Sequence, residues 1–374
     1  MPNLQTLKTP GLILDVERVR RNAARTSEIA KRNNVRLRPH AKTHKCVEVA
    51  KIQTAGHEGA LTVSTLAEAR AFAVHGFADL TYAVPIESGK FAEVIEIVRS
   101  GVKLNLITDD GETIAAMNEA AGRAAVKFNV FLEVDCGDHR SGVDPKTEES
   151  VAAARQISDA KNLNFAGILT HGGHSYGARS IDEIRAVAAQ ERDVMVEFGD
   201  RLRSLSIEVP TVSTGSTPTA HHVDHLKGID EIRPGNYIFF DAFQATLGSC
   251  DFEDCALTVL AAVVHRNREQ KKIIVDAGAI ALSKDRGAFE LNPRSGYGRV
   301  LDLAGNDLNV YVESVSQEHG TIHIQDKAVF DSLKIGSRVR ILANHSCLTA
   351  AQHEHYHVLE NGAIVDRWEI HRGW

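Results

Sequence analysis

Two groups of residues in this 374-residue chain have the types and spacing to do chemistry. The first is Arg38-Pro39-His40-Ala41-Lys42-Thr43-His44-Lys45-Cys46, which closes the extended run Val35-Arg36-Leu37. A lysine at the end of a strand can carry a cofactor aldehyde as a Schiff base, if cationic neighbours lower its pKa enough to free the amine. Arg38, His40, His44 and Lys45 could supply that field. The same pattern also reads as a basic strand end that binds an anion or lies in solvent. The second group is His345-Ser346-Cys347, whose i, i+2 spacing puts imidazole and thiolate on one face of a strand. One nitrogen and one sulfur make a zinc-like pair, and water or substrate would have to complete the shell. His353-x-His355-x-His357 alternates in the same way, and spacing does not choose between the two.

Three further segments could surround a bound cofactor. Glu133-Val134-Asp135-Cys136-Gly137-Asp138-His139-Arg140-Ser141-Gly142-Val143 ends a strand; Arg140 could reach a ring oxygen or carboxylate, or simply form a salt bridge. Ser213-Thr214-Gly215-Ser216-Thr217-Pro218-Thr219 and Arg233-Pro234-Gly235-Asn236-Tyr237 combine glycine-exposed backbone with hydroxyl or amide side chains. Barrels of alternating strands and helices often bind phosphate at their seventh and eighth strand ends, so Gly215, Ser216, Thr217, Gly235 and Asn236 are candidates. Each loop alone also reads as a mere turn. His171-Gly172-Gly173-His174-Ser175-Tyr176 offers Tyr176 to the same phosphate, or ordinary loop residues.

These residues need a frame that converges them. From residue 16 to about 240, buried-strand and helical patterns alternate. The strands are expected at Arg36–Lys42, Ala60–Thr65, Leu80–Pro85, Lys103–Thr108, Lys127–Asp135, Phe165–His171, Val209–Gly215 and Glu231–Phe239. Helices such as Thr65–His75, Lys90–Ser100, Glu148–Ala160 and Ile181–Leu205 lie between them. Eight such strands predict an α/β fold, a (β/α)8 barrel of the TIM type. An open doubly wound sheet usually has fewer strands and a glycine-rich first turn, which this chain lacks. Beyond about residue 245 the runs Leu257–Val264, Ile273–Asp276 and Arg338–Leu342 are β-rich, and 309–324 alternates like a hairpin. The division expected is a barrel over 16–245 and a C-terminal all-β domain made of 1–15 plus 246–374.

Composition narrows the class. Hydrophobic residues make up 43% and charged residues 25%, and the net charge is −6, which gives no basic footprint for nucleic acid. No apolar run approaches the length of roughly 18 residues that a membrane span needs. The first residues lack the layout of a signal peptide, and five scattered cysteines suit a reducing compartment. A cytoplasmic enzyme is the expectation.

Taken together, the segments resemble the fold-type III pyridoxal-phosphate enzymes, and within them the D-threonine aldolase and eukaryotic-type D-serine dehydratase group. The resemblance covers nearly the whole chain. It implies that Lys42 of the R-P-H-x-K-x-H-K motif, and not Lys45, carries pyridoxal 5'-phosphate. The V-D-x-G-x-x-R-x-G-V segment resembles the alanine racemase strand whose arginine contacts the cofactor's phenolic oxygen, a role implied for Arg140. The G-S-T-P-T and P-G-N-Y loops and Tyr176 look like the family's phosphate cradle. At the metal pair, D-threonine aldolases present H-x-D and the D-serine dehydratase branch presents H-x-C, as His345 and Cys347 do. That makes metal at His353, His355 and His357 the lesser possibility. The resemblance implies a lyase that uses this cofactor and Zn²⁺ on a D-amino acid, D-serine first, giving a 2-keto acid and ammonia. D-threonine aldolase or 3-hydroxy-D-aspartate lyase chemistry is the alternative, and a non-catalytic cofactor-binding barrel a lesser one. Fold-type III relatives build their sites at a dimer interface, so a homodimer is implied too.

Overall fold

The computed structural model describes residues 3–287 and 289–374. The chain divides into two compact units, one of residues 25–42, 50–235 and 371–374, the other of 1–24, 43–49 and 236–370.

The first unit is a parallel eight-stranded sheet. Its strands are β1 (Arg36–Leu37), β2 (Leu61–Val63), β3 (Asp79–Pro85), β4 (Lys103–Thr108), β5 (Phe128–Glu133), β6 (Leu163–Leu169), β7 (Val212–Thr214) and β8 (Glu231–Ile232). Neighbours pair in the order β1-β8-β7-β6-β5-β4-β3-β2. A bridge between His40 and Thr62, with Thr62 N–H donating to Pro39 O at 2.9 Å, joins the two ends of the sheet. All eight expected strands are present, as expected of a (β/α)8 barrel. Four of the helices between them begin on side-chain caps: Thr65 accepts from Glu68 N, Asp110 from Thr113 N, Thr147 from Ser150 N and Ser180 from Glu183 N. The helix Phe91–Arg99 buries Phe91, Val94 and Ile97, one apolar stripe at helical spacing.

Charge is built into this barrel. Arg38 is 1% exposed, and it donates to Glu231 Oε2 and Asp79 Oδ1, each at 2.7 Å. Glu231 Oε1 also accepts from Ser213 Oγ at 2.7 Å. Arg233 is buried and donates to Ser213 Oγ and Thr170 O. Buried charges survive only when paired, so this network fixes the strand ends that carry it. Arg38 is therefore committed to two acids.

The second unit is mostly β. Its main sheet runs Asp307–Tyr311, Arg299–Leu301, Arg338–Leu342, Leu257–Asn267, Gly11–Asp15, His355–Glu360 and Ala363–Glu369 in spatial order. Gly11–Asp15 pairs antiparallel with Leu257–Asn267 and parallel with His355–Glu360, which ties the N-terminal strand into the sheet. Ser314–Val315 and Gly320–His323 form the expected hairpin. Leu7, Ile13, Leu260, Leu359 and Ile364 share one buried cluster. Among the described residues, no helix is long and apolar enough to cross a membrane.

Candidate active site

The barrel unit presents its chemistry where barrels ordinarily do, just past the strand ends. Lys42 lies in the 3₁₀ turn Ala41–Thr43 and is half-buried; its N–H donates to His40 Nδ1 at 3.3 Å. The expected strand Arg36–Lys42 is shorter in the structure. Extended pairing still continues, with Arg38 N–H donating to Ile232 O and His40 N–H to Pro234 O, both at 3.0 Å.

Lys42 and Arg140 both bear on one imidazole. His171 is held well below its ordinary value, at about 3, by burial first and then by the charges of Lys42, Arg140 and Arg233. It stays neutral at pH 7, and its ring lies 6.4 Å from that of Tyr176. Arg140 is 58% exposed, with NH2 4.0 Å from Glu133 Oε1. Glu133 is buried, its Oε2 has no hydrogen-bond partner among the described residues, and burial raises its pKa. The turn that carries Arg140 depends on Gly142, at φ +104°, where a Cβ would come within 2.5 Å of Asp135 N.

The loops after β6 and β7 meet through hydroxyls. Ser175 Oγ lies 2.9 Å from Ser216 Oγ, and Ser216 caps the short helix Thr217–His222 in a reciprocal box with Thr219. His171 Nδ1 lies 3.3 Å from Gly215 O. Gly215 sits at φ +118°, where a Cβ would stand 3.0 Å from Arg233 N. The structure thus brings Lys42, Arg140, Tyr176, Gly215, Ser216 and Thr217 together in one unit, and a hydroxyl-rich helix start of this kind suits a phosphate. Gly235 closes this unit's segment, while Asn236 opens the other's.

Behind the loops stands a residue that the sequence reading missed. Glu191, buried in the helix Ile181–Ser204, accepts from Gly172 N at 2.8 Å and Gly215 N at 2.9 Å through the same Oε1. Burial raises its pKa. The Gly215 N–H is therefore committed to Glu191. A signal was present: Ile184, Ala188, Glu191, Met195, Phe198 and Leu202 form one buried stripe, and Glu191 is its lone charge.

The second unit holds His345 and Cys347. They do not lie along a strand, as the spacing suggested. The strand ends at Leu342, His345 precedes the short helix Ser346–Ala350, and Cys347 is in its first turn. The cause is Asp241, whose Oδ2 accepts from Ser346 N at 3.0 Å and Ser346 Oγ at 3.2 Å and so satisfies the helix start from outside. The imidazole and thiol still meet. Burial lowers the pKa of His345, but hydrogen bonds to Asp285 and Cys347 outweigh it and lift the group to about 11. His345 Nδ1 lies 2.7 Å from Asp285 Oδ2. Cys347 Sγ donates to Thr43 Oγ1 at 3.2 Å and accepts from Asn236 Nδ2 at 3.6 Å. Asn236 Nδ2 also reaches Asp241 Oδ2 at 2.7 Å and Ser346 Oγ at 3.1 Å. One nitrogen and one sulfur suit zinc better than magnesium or calcium, which prefer oxygen.

Of the competing histidines, His355 and His357 approach each other, Nε2 to Nε2 at 3.3 Å, but ring nitrogens of the set have other partners. His353 Nε2 lies 3.1 Å from Ala281 O, and His355 Nδ1 is 2.9 Å from Arg367 NH2. Among the described residues, no group of three or more His, Cys, Asp or Glu side chains is arranged to hold a metal ion. All five cysteines are free thiols.

Comparison with known proteins decides the family. The alanine racemase N-terminal domain matches residues 14–242, and the serine dehydratase domain matches 256–359. The chain belongs to the fold-type III pyridoxal-phosphate family, in its D-serine dehydratase and D-threonine aldolase group. It is a lyase, as the dehydratases and aldolases of that group are. It is similar to D-threo-3-hydroxyaspartate dehydratase of Delftia sp. strain HT23, 38% identical over 99% of both chains. D-serine dehydratase of Dictyostelium discoideum is 35% identical over 100% of this chain and 98% of its own. Among solved structures, a D-threo-3-hydroxyaspartate dehydratase with one cysteine changed to alanine, in its metal-free form, aligns with a TM-score of 0.97 at 36% identity over 100% of both chains.

Proposed function

We propose that this lyase is a pyridoxal-phosphate- and zinc-dependent dehydratase of β-hydroxy-D-amino acids, with D-serine as its first substrate, and that it releases a 2-keto acid and ammonia. The observation that carries the reading is the hydrogen bond from Cys347 to Thr43, the residue covalently next to Lys42. Lys42 would hold the cofactor; Ser216, Thr217, Gly235, Asn236 and Tyr176 would hold its phosphate end and Arg140 its ring oxygen, while Gly215, its N–H taken by Glu191, would only shape the turn. Bound there, the cofactor supplies a conjugated ring that accepts the electrons left at Cα. Lys42 Nζ would serve as the general base for the Cα proton. His171, neutral beside Lys42 and Arg140, adds no further positive charge to that pocket. His345 and Cys347 would hold the zinc, and the chemistry it would supply there is Lewis acidity toward the β-hydroxyl, otherwise a poor leaving group. The relatives named for D-serine and for D-threo-3-hydroxyaspartate support β-elimination from either substrate.

The test is product analysis with D-serine, D-threonine and 3-hydroxy-D-aspartate. Keto acid and ammonia in equal amounts are expected, with D-serine turned over. Glycine plus an aldehyde would overturn the dehydratase reading in favour of an aldolase, and no turnover of any of the three would leave a cofactor-binding barrel. We also propose a two-fold homodimer in the reducing cytoplasm, the commonest closed symmetry. Light scattering of an active sample at the mass of one 40.8 kDa chain would exclude the dimer.

A further inference from the structure

Asp285 lies in the loop after the short helix Ala279–Leu282, far in sequence from His345. Its two carboxylate oxygens have separate duties. Oδ1 accepts from Gly287 N at 2.6 Å, and Oδ2 sits 2.7 Å from His345 Nδ1. The backbone around it is anchored as well: Asp285 N–H donates to Ser283 Oγ at 3.2 Å, and Asn344 Nδ2 reaches Asp285 O at 3.3 Å and Gly296 O at 2.8 Å. Gly287 stands at φ +52°, where a Cβ would come 2.9 Å from Asn344 Cβ, so the loop lies directly against the residue before His345.

An ionised carboxylate only accepts hydrogen bonds, so Nδ1 of His345 must carry the proton. In the neutral ring that leaves the lone pair on Nε2, the atom on the side away from Asp285. Only an unprotonated nitrogen can ligate a metal. A carboxylate behind a ligating imidazole fixes the tautomer and ring orientation and makes the ligand more basic.

We propose that Asp285 is the positioning residue of the metal pair: it holds His345 with Nε2 turned toward Cys347 and so sets the affinity for a divalent, zinc-type ion. This rests on the reading of His345 and Cys347 as metal ligands. It also accounts for how two protein ligands suffice, since both come pre-oriented, His345 by Asp285 and Cys347 by Thr43 and Asn236.

The test uses full-length protein loaded with zinc alone. Zinc per chain is measured in the wild type, Asp285→Asn and Asp285→Ala, and affinity by competition with a chromophoric chelator. Cobalt-substituted samples report the ligand field through their visible spectra. Asp285→Ala is expected to weaken zinc about 10–100-fold. Asp285→Asn, which keeps an acceptor oxygen but not the charge, should fall between it and wild type. Circular dichroism and unfolding of the metal-free forms separate this from misfolding, because a merely structural role would lower stability without moving the cobalt spectrum of the folded fraction. Unchanged affinity and spectrum in both variants overturn the proposal while the metal reading stands. A wild type that takes up no zinc overturns the metal reading and this proposal together.

Discussion

The barrel mouth and the imidazole–thiol pair obtain their geometry in opposite ways. Lys42, Arg140, Tyr176 and Gly215 are far apart in sequence, yet each follows a different barrel strand, and the parallel sheet delivers them to one end. His345 and Cys347 are two residues apart, yet their orientation depends on Asp285, Thr43 and the Asn236–Asp241 segment, three other stretches of the chain. Position in a repeating fold is inherited from the fold, whereas an isolated pair must be held by dedicated partners. The first arrangement tolerates changes behind it; the second should be sensitive to them.

The sharpest division between the regions comes from removing each one's central group. Lys42→Ala should abolish covalent cofactor attachment and lower turnover by many powers of ten, whereas Lys45→Ala should retain both. Visible absorption of the bound cofactor together with keto-acid release is the measurement, and an intact visible band in Lys42→Ala would sink the assignment. Cys347→Ala, or chelation of the wild type, should instead leave that band intact while slowing elimination on the order of a thousand-fold, since Lewis acidity contributes several kcal/mol. If both manipulations erase the band, the two regions are not separable in the way described.

The sequence exposes one region more fully than the other. All eight barrel strands are legible because buried parallel strands read as short apolar runs between amphipathic helices; boundaries shift most where a turn follows early, as at Lys42 and after Ile232. The strand reading of His345 and Cys347 failed because a period of two says nothing of Asp241, which caps a helix there from a hundred residues upstream. Glu191 was visible in principle as a charge on an apolar stripe. Asp285 carried no such signal: its partner is non-local, and a loop aspartate is usually a turn residue.

Within the barrel, the buried ion network should dominate stability and leave chemistry alone. Arg38→Met leaves Glu231 buried without its closest cation, an expected loss of about 3–5 kcal/mol in denaturant unfolding. Cofactor binding by the folded fraction should be unchanged; a selective loss of cofactor with normal stability would move Arg38 into the site. A smaller effect attaches to His171. In the unfolded chain an imidazole titrates near 6.5, but in the fold His171 does so at about 3. Between those values the unfolded state binds more protons, so stability falls as pH drops through that window and is unaffected above it. His171→Asn should flatten part of that slope between pH 6 and 4, taken from unfolding midpoints at a series of pH values (roughly, the window set by the two pKa values). An unchanged slope would mean that the ring is already charged in the fold.

The smallest expected effect is also the one that can reverse the comparison. Arginine has donors and no acceptor, so its NH2 group can only donate to His355 Nδ1, which lies 2.9 Å away. A neutral His355 therefore carries its proton on Nε2, directed at His357 Nε2 across 3.3 Å. A metal bound at that pair would need both Nε2 lone pairs, which forces His355 into the other tautomer with a proton facing the Arg367 guanidinium. Burial and the Arg367 charge hold the pKa of His355 at about 4, so at neutral pH the ring is neutral and its tautomer is what matters. His355→Ala should consequently keep the zinc content of the wild type and its rate of elimination, losing only ~1 kcal/mol of stability with a partly exposed hydrogen bond. Zinc analysis beside Cys347→Ala decides the matter. Loss of zinc from His355→Ala with retention in Cys347→Ala would transfer the metal to the strand His355–Glu360, and Asp285 would then be holding an imidazole that ligates nothing.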